Sequence, residues 1–525
     1  MDRKWWTLLV VCAATFMLLL DVTIVVVALP EIQHGLHGTF ADVQWVIDAY
    51  ALSLASLLLT TGSLADRYGR RLLFTIGLAI FTVGSLTCGL AQSPLMLITS
   101  RAVQGIGGAI MFATSLALLA QSFRGKDRGV AFGIWGAITG IAVALGPVLG
   151  GVITSGINWR GIFLVNLPIG AAAIAITLWK VDESKTPHAS RPDWAGFGVL
   201  TAGLVSLVYA LIRASEVSWS DAGVLICLAI AVVLLGSFAF VERRAERPMF
   251  DLTLFRVPTF SGGLMAAFAM NGSLYALLLY LVLYLQDDLG YSALGTGVRL
   301  LLLSGATLVS ATAAGRLSTK MPVRWLIGPG LALVGIGLFL MSGLSATTSW
   351  THLIPGFIVA GFGSGMVNPP LASTAVGVVT PDRSGMASGV NTTFRQIGIA
   401  VGIAAYGTIF TASLRNSLGH TLSGVSGLAG KAPQIISGIQ QGNVGGVISR
   451  TPTAARGQVV SAIHSSFTGA LNDLLVVSGI LALVGAVGAL TLIRSKDFVA
   501  QHQGPPPAGD SVEPTRPMQP AGSGS

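Results

Sequence analysis

Polar and apolar positions fall in long blocks along the 525-residue chain, with apolar runs of about twenty residues separated by short charged segments. At ~1.5 Å of rise per residue, about twenty apolar residues carry an α-helix across the hydrocarbon core of a bilayer. The pattern predicts such spans at residues 5–29, 43–64, 72–91, 95–120, 129–153, 162–179, 195–212, 222–241, 260–285, 297–314, 326–344, 353–379, 386–410 and 471–493, about fourteen in all. The first run follows MDRKWW, but it is too long for a secretory signal and lacks a small-residue cleavage site, so it reads as an uncleaved first helix.

Composition agrees with the pattern. Hydrophobic residues make up 52% of the chain and charged residues 10%, against about a quarter charged in soluble domains. The formal charge of +9 resides in alternate loops, which carry Arg3 and Lys4; Arg67, Arg70 and Arg71; Arg124, Lys126 and Arg128; Lys185 and Arg191; Arg243, Arg244 and Arg247; Arg316, Lys320 and Arg324; and Arg494 and Lys496. The positive-inside rule assigns these loops and both termini to the cytoplasm of a plasma (cell inner) membrane protein, and explains the charge without a nucleic-acid partner. The opposite loops carry Glu31, Asp42, Glu216 and Asp221, with Arg160 and the long loop 411–466 as exceptions. Cys12, Cys88 and Cys227 all lie within apolar runs and read as packing residues, with no disulfide framework or metal site.

Three motifs recur. GSLADR at Gly62 is echoed by GRLSTK at Gly315, GIGG at Gly105 by GFGSG at Gly361, and DRGVAFG ending at Gly133 by DRSGMASG ending at Gly389. The offsets are 315 − 62 = 253, 361 − 105 = 256 and 389 − 133 = 256. Both copies fall on one membrane side, as in a parallel repeat of about six helices with a substrate site between the halves. The expected domains are a six-helix bundle at 1–181, two inserted helices with linkers at 182–258, a second six-helix bundle at 259–496 and a disordered cytoplasmic tail at 497–525.

An ionisable side chain inside the bilayer costs at least ~2.5–3.5 kcal/mol, so it faces protein or water and marks a pathway or proton relay. Asp21 interrupts the apolar stretch 18–30, Asp48 lies near the outer start of the second span, and Arg101 lies about seven residues into the fourth. Depths of about 12, 8 and 10 Å place them at one level, as a buried ion cluster able to load and release protons. Each also has a structural reading: Asp21 as a helix bridge, Asp48 as a wet interfacial acid, Arg101 as an anchor for backbone carbonyls. Arg395, with Asn391 and Gln396 beside it, suggests a polar cavity wall, to which Gln104 and Asn271 are also assigned. GSLADRYGRR places Gly62, Asp66, Arg67, Gly69 and Arg70 in a basic turn where pairs can latch one conformation or cap helix ends. GPVLGG brings Gly146, Pro147, Gly150 and Gly151 into the fifth span, as a bendable gating element or a tight packing face. GIGGAI lacks the βαβ context of a dinucleotide site, no GxxxxGK[ST] occurs, and no metal cluster or nucleophile motif supports an enzyme.

These motifs together resemble the major facilitator superfamily, and within it the fourteen-span drug:proton antiporters of EmrB/QacA type. LDVTIVVVALP resembles the first-helix signature, with Val26 where Asn is usual; RAVQGIGGA resembles that of helix four; GPVLGG resembles the antiporter signature of helix five, with Ala142 where Gly is usual. NWRGIFLVNLPIG is also similar to family sequences. The resemblance places Asp21 at the acidic position of the first-helix signature and implies a proton-coupling role for Arg101 with Gln104 and Gly105 beside it, a cytoplasmic gate at Asp66 and Arg70, and an all-α transporter of two six-helix bundles plus two inserted helices. Its activity would be multidrug efflux by alternating access, with small molecules and protons as partners, the proton gradient as energy source, and neither ATP nor a cofactor. Alternatives are a dedicated exporter of an endogenous metabolite or lipid, an uptake symporter, and a non-transporting membrane sensor.

Overall fold

The computed structural model describes residues 2–123, 125–184, 193–244, 252–318, 320–379, 384–423 and 453–498. Among them no strand forms. The long helices are α1 (Arg3–Leu36), α2 (Phe40–Tyr68), α3 (Arg70–Gly89), α4 (Pro94–Ser122), α5 (Gly125–Gly156), α6 (Gly161–Lys180), α7 (Trp194–Glu216), α8 (Ala222–Arg244), α9 (Pro258–Asp288), α10 (Ala293–Leu317), α11 (Arg324–Met341), α12 (Leu353–Gly377), α13 (Ser384–Ser423) and α14 (Thr453–Leu492).

Twelve of these are long and apolar enough to cross a membrane, and α5 makes a thirteenth as two segments, Ile134–Ala142 and Ala144–Gly156, bent by 43°. The bend lies four residues before Pro147, where the ring displaces the i−4 carbonyl and removes its hydrogen bond. The remaining helix, α2, is 29 residues long and carries Asp42, Asp48, Asp66 and Arg67.

Two expected boundaries are wrong. Residues 411–423 and 453–466, read as loop, continue α13 and α14. Leu414, Leu418 and Leu422 recur every fourth residue and are buried, in one core with Val459, Ala462 and Ile463. The two extensions thus pack by a helical stripe too sparse to register as a membrane run; residues 424–452 lie outside the described set. Asp497, assigned to the tail, is instead held by the protein: it accepts hydrogen bonds from Thr259 N at 3.3 Å and Oγ1 at 2.7 Å. The rest of the expected tail, from residue 499, is outside the described residues, as is most of the polar linker at 185–192.

Helices α1–α6 and α9–α14 form two halves joined by two seams, α5 on α10 and α2 on α13. The second helix of each half therefore meets the fifth of the other, as the repeat requires. Of the inserted pair, α7 packs on α2 and α13, and α8 packs chiefly on α7. Ile226, Val232 and Val233 of α8 are exposed, as befits a lipid-facing surface.

Between described residues, the hydrogen bonds and ion pairs that cross the halves run from mid-helix to the face opposite the N-terminus, here the far face. Ser304 Oγ donates to Ala144 O at 3.1 Å and Thr393 Oγ1 to Ala55 O at 3.0 Å. Toward the far face, Gln44 Nε2 donates to Tyr280 Oη and Ile403 O, each at 3.1 Å, and Gln286 Nε2 to Val27 O at 2.8 Å. Phe40, Tyr280, Phe410 and Phe467 fill that end with rings 5.0–5.9 Å apart. At the N-terminal face, Arg3–Asp182 and Lys4–Asp127 join elements near one another within the first half.

Candidate functional site

Asp21 and Arg101 meet in the first half. Asp21 Oδ2 accepts from Arg101 Nη1 at 2.5 Å, and Oδ1 accepts from Gln104 Nε2 at 2.9 Å and Asn166 Nδ2 at 3.4 Å. Gln104 stands one turn after Arg101 on α4, and its Oε1 accepts from Arg101 Nη1 at 2.6 Å. Ser85 Oγ ties Gln104 and Asn166 together at 2.7 and 3.1 Å. Arg101 Nε donates to Val46 O at 3.1 Å, and the guanidinium lies 4.2 Å from the Tyr50 ring centroid, a cation–π contact. Asp21 and Arg101 are each 1% exposed.

Small residues make this network possible. A Cβ on Gly105 would lie 2.6 Å from Tyr50 O, and one on Gly84 would lie 2.9 Å from Gln104 Cβ, so α2, α3 and α4 approach backbone to backbone. A buried pair is strongly destabilised when one partner loses its charge, because the other is left uncompensated. Neutralising Asp21 therefore removes the main reason for Arg101 to stay where it is, and the pair can act as a two-position element. Ser85, Asn166 and Tyr50 were not singled out from the sequence; Ser85 and Asn166 are polar residues within apolar runs, and that is the signal that marks them.

Asp48 does not join this cluster. Val46 and Tyr50 turn toward α4, and residue 48, two positions from each, projects about 200° away on a helix of 100° per residue. Asp48 instead shares the face of Gln44, which donates to the Tyr280 hydroxyl of the second half. It is fully buried, and neither carboxylate oxygen has a hydrogen-bond partner among the described residues. The expected three-membered cluster is thus an ion pair in one half and a lone acid at the α2 seam.

The expected cavity wall also divides. Gln104 belongs to the ion-pair network, and Asn271 Nδ2 is spent on Ala267 O at 2.9 Å in its own helix. Arg395 and Asn391 do come together: Arg395 Nε donates to Asn391 Oδ1 at 3.1 Å and Nη1 to Asn368 Oδ1 at 3.0 Å. Asn368 Nδ2 in turn reaches Ser364 Oγ at 3.3 Å.

In the basic turn, Gly69 adopts φ +125°, and a Cβ there would lie 2.7 Å from the Glu183 carboxyl. Glu183, not anticipated from sequence, caps α3 by accepting from Arg71 N and Leu72 N, each at 3.0 Å. Arg70 Nη1 donates to Gln121 Oε1 at 3.0 Å, and Arg67 lies beside the Tyr68 ring. The side chain of Asp66 and the surroundings of Gly62 lie outside the described residues. In α5, a Cβ on Gly146 would collide with Thr23 Oγ1 at 1.8 Å, on Gly150 with Ile24 O at 2.8 Å, and on Gly151 with Ala293 O at 2.6 Å. From the other side, a Cβ on Gly297 would meet Pro147 O at 2.2 Å. GPVLGG therefore forms the point where α1, α5 and α10 cross.

Comparison with known proteins agrees with this architecture. The family model for the Major Facilitator Superfamily matches residues 11–403. The chain is 35% identical over 488 residues to the multidrug resistance protein Stp of Mycobacterium tuberculosis (strain CDC 1551 / Oshkosh), covering 92% of this chain and 91% of that one. It is 31% identical to the tetracenomycin C resistance and export protein of Streptomyces glaucescens, covering 96% and 95%. Among solved structures, a bacterial homolog of the human lysosomal transporter Spinster, in an inward-facing and occupied conformation, superposes with a TM-score of 0.64 at 17% identity, covering 95% and 99%. The chain is a multi-pass membrane protein and belongs to the Major Facilitator Superfamily.

Proposed function

We propose that the chain is a drug-efflux transporter that exports amphipathic small organic compounds in exchange for protons, by alternating access across the plasma membrane with both termini in the cytoplasm. Relatives named as multidrug resistance and antibiotic export proteins support the efflux reading. The observation that carries proton coupling is the Asp21–Arg101 pair, a buried acid and base whose other partners are neutral.

On this reading the far face is extracellular, and the aromatic plug closes it while substrate enters from the cytoplasm. When the halves rock and the plug opens, a proton from outside neutralises Asp21, with Asp48 at the seam as a second acceptor. Arg101 then loses its counter-charge and shifts toward Val46 O and Gln104, changing how α4 sits on α1 and α2. Release of the proton to the cytoplasm restores the pair. The protein's contribution is to exclude water from the pair and to tie its protonation to the packing of three helices; no covalent chemistry and no bound nucleotide enter.

The test is transport in proteoliposomes with an imposed pH gradient and rhodamine 6G as cargo. Proton-driven movement of the dye supports the proposal, and its absence overturns it. A second reading, export of one compound, is favoured by the relative named for tetracenomycin C alone; movement of a single member of a chemically varied dye and antibiotic panel would establish it.

A further inference from the structure

The second half holds an arginine whose charge the described protein does not balance. Arg395 lies eleven residues into α13, about 16 Å along the helix and thus deep in the bilayer. No Asp or Glu among the described residues is within salt-bridge distance of it. Its partners are the Asn391 Oδ1, Asn368 Oδ1 and, at 3.5 Å, Asn368 O. The side chain stays part-exposed among α9, α12 and α13.

Arginine brings five N–H donors in a planar fork that matches an anionic oxygen pair. Three are used here, all on neutral acceptors. Because Arg395 can only donate, it fixes both asparagine amides with their oxygens toward it. That turns Asn368 Nδ2 to Ser364 and leaves Asn391 Nδ2 buried without an acceptor among the described residues. The cluster is therefore rich in donors and poor in negative charge, the opposite of the Asp21 site. The repeat shows that this is specific to one half: residue 395 − 256 = 139 is Thr139, and residue 101 + 256 = 357 is Phe357.

We infer that Arg395, Asn391 and Asn368 form a subsite for the anionic oxygens, carboxylate or phenolate, of an amphipathic aromatic substrate. This rests on the export reading and adds a substrate class to it: the first half handles the proton, and the second half offers the counter-charge to the cargo. Tyr275, whose hydroxyl is 3.5 Å from Ser364 Oγ and Asn368 Nδ2, provides an aromatic edge beside the charge.

The experiment compares two xanthene dyes, anionic fluorescein and cationic rhodamine 6G, in phosphatidylcholine proteoliposomes containing the full chain and no anionic lipid. Fluorescein export driven by the pH gradient is expected from the unmodified protein. Arg395→Gln should lower the fluorescein-to-rhodamine rate ratio at least tenfold, and Arg395→Lys should restore part of it. Asn391→Asp supplies an internal counter-charge, so it should lower the same ratio while leaving the melting temperature equal or higher. Export of rhodamine 6G without fluorescein overturns this inference and leaves the export reading standing. An unchanged ratio in Arg395→Gln, with both dyes slowed alike, overturns it in favour of a packing role. If neither dye moves, the export reading falls and this inference with it.

Discussion

Substituting Gly151 by alanine probes whether the α5–α10 seam opens during the cycle. In the far-closed form the new Cβ would lie 2.6 Å from Ala293 O and 2.7 Å from Leu294 Cα. Both belong to backbone at the start of α10, so neither can swing aside as a flexible side chain would. Forcing an extra carbon into a packed contact costs about 1–3 kcal/mol. Charged only to the form in which the seam is closed, that cost shifts the closed-to-open ratio about 5- to 150-fold. Gly136, on the same helix, has nothing within 4 Å of its Cβ position, so Gly136→Ala is the matched control. The assay is double electron–electron resonance between nitroxides at Gln92→Cys and Ala346→Cys, both exposed and in far-face loops of opposite halves. Cys227 is replaced by Ala; Cys12 and Cys88 are buried and out of reach of label. Gly151→Ala should move the distance distribution toward a longer, far-open component, with Gly136→Ala unchanged. An identical distribution in both variants would refute the seam as a moving contact.

Other consequences follow from the same geometry. Arg101→Lys keeps the charge but loses the fork that reaches Asp21, Gln104 and Val46 O at once, so proton-driven rhodamine 6G efflux should fall at least tenfold at equal protein level. Asp21→Asn leaves the buried Arg101 charge uncompensated and should destabilise the fold by about 3–5 kcal/mol, whereas Asp48→Asn replaces an acid that accepts no hydrogen bond among the described residues and should leave stability equal or improved; melting in detergent separates the two. Glu183→Ala uncaps α3 and should lower stability by about 1 kcal/mol, while Arg67→Ala, on an exposed side chain, should melt like the parent.

The helices were legible because hydrocarbon thickness imposes a length on every apolar run, and the Asp21–Arg101 pair because a buried acid needs a buried base. Gln104, expected in a cavity wall, joins the ion pair instead, because three residues after Arg101 on α4 its amide reaches both Arg101 and Asp21. Depth alone does not place Asp48: two residues along a helix change depth by about 3 Å but azimuth by about 200°, and only azimuth decides whether a side chain faces α4 or the other half. The helical extensions of α13 and α14 escaped notice because Leu414, Leu418 and Leu422 make a stripe within a polar segment. Glu183 and the Phe40–Tyr280–Phe410–Phe467 plug depend on residues far apart in sequence meeting in space, which no local pattern encodes.

Exchange of substrate for protons requires protons to leave Asp21 when substrate binds. Purified protein in weakly buffered detergent solution, with a pH-indicator dye, should release protons on addition of rhodamine 6G, and Asp21→Asn should bind the compound yet release none. Equal release from Asp21→Asn and the parent would contradict the central claim.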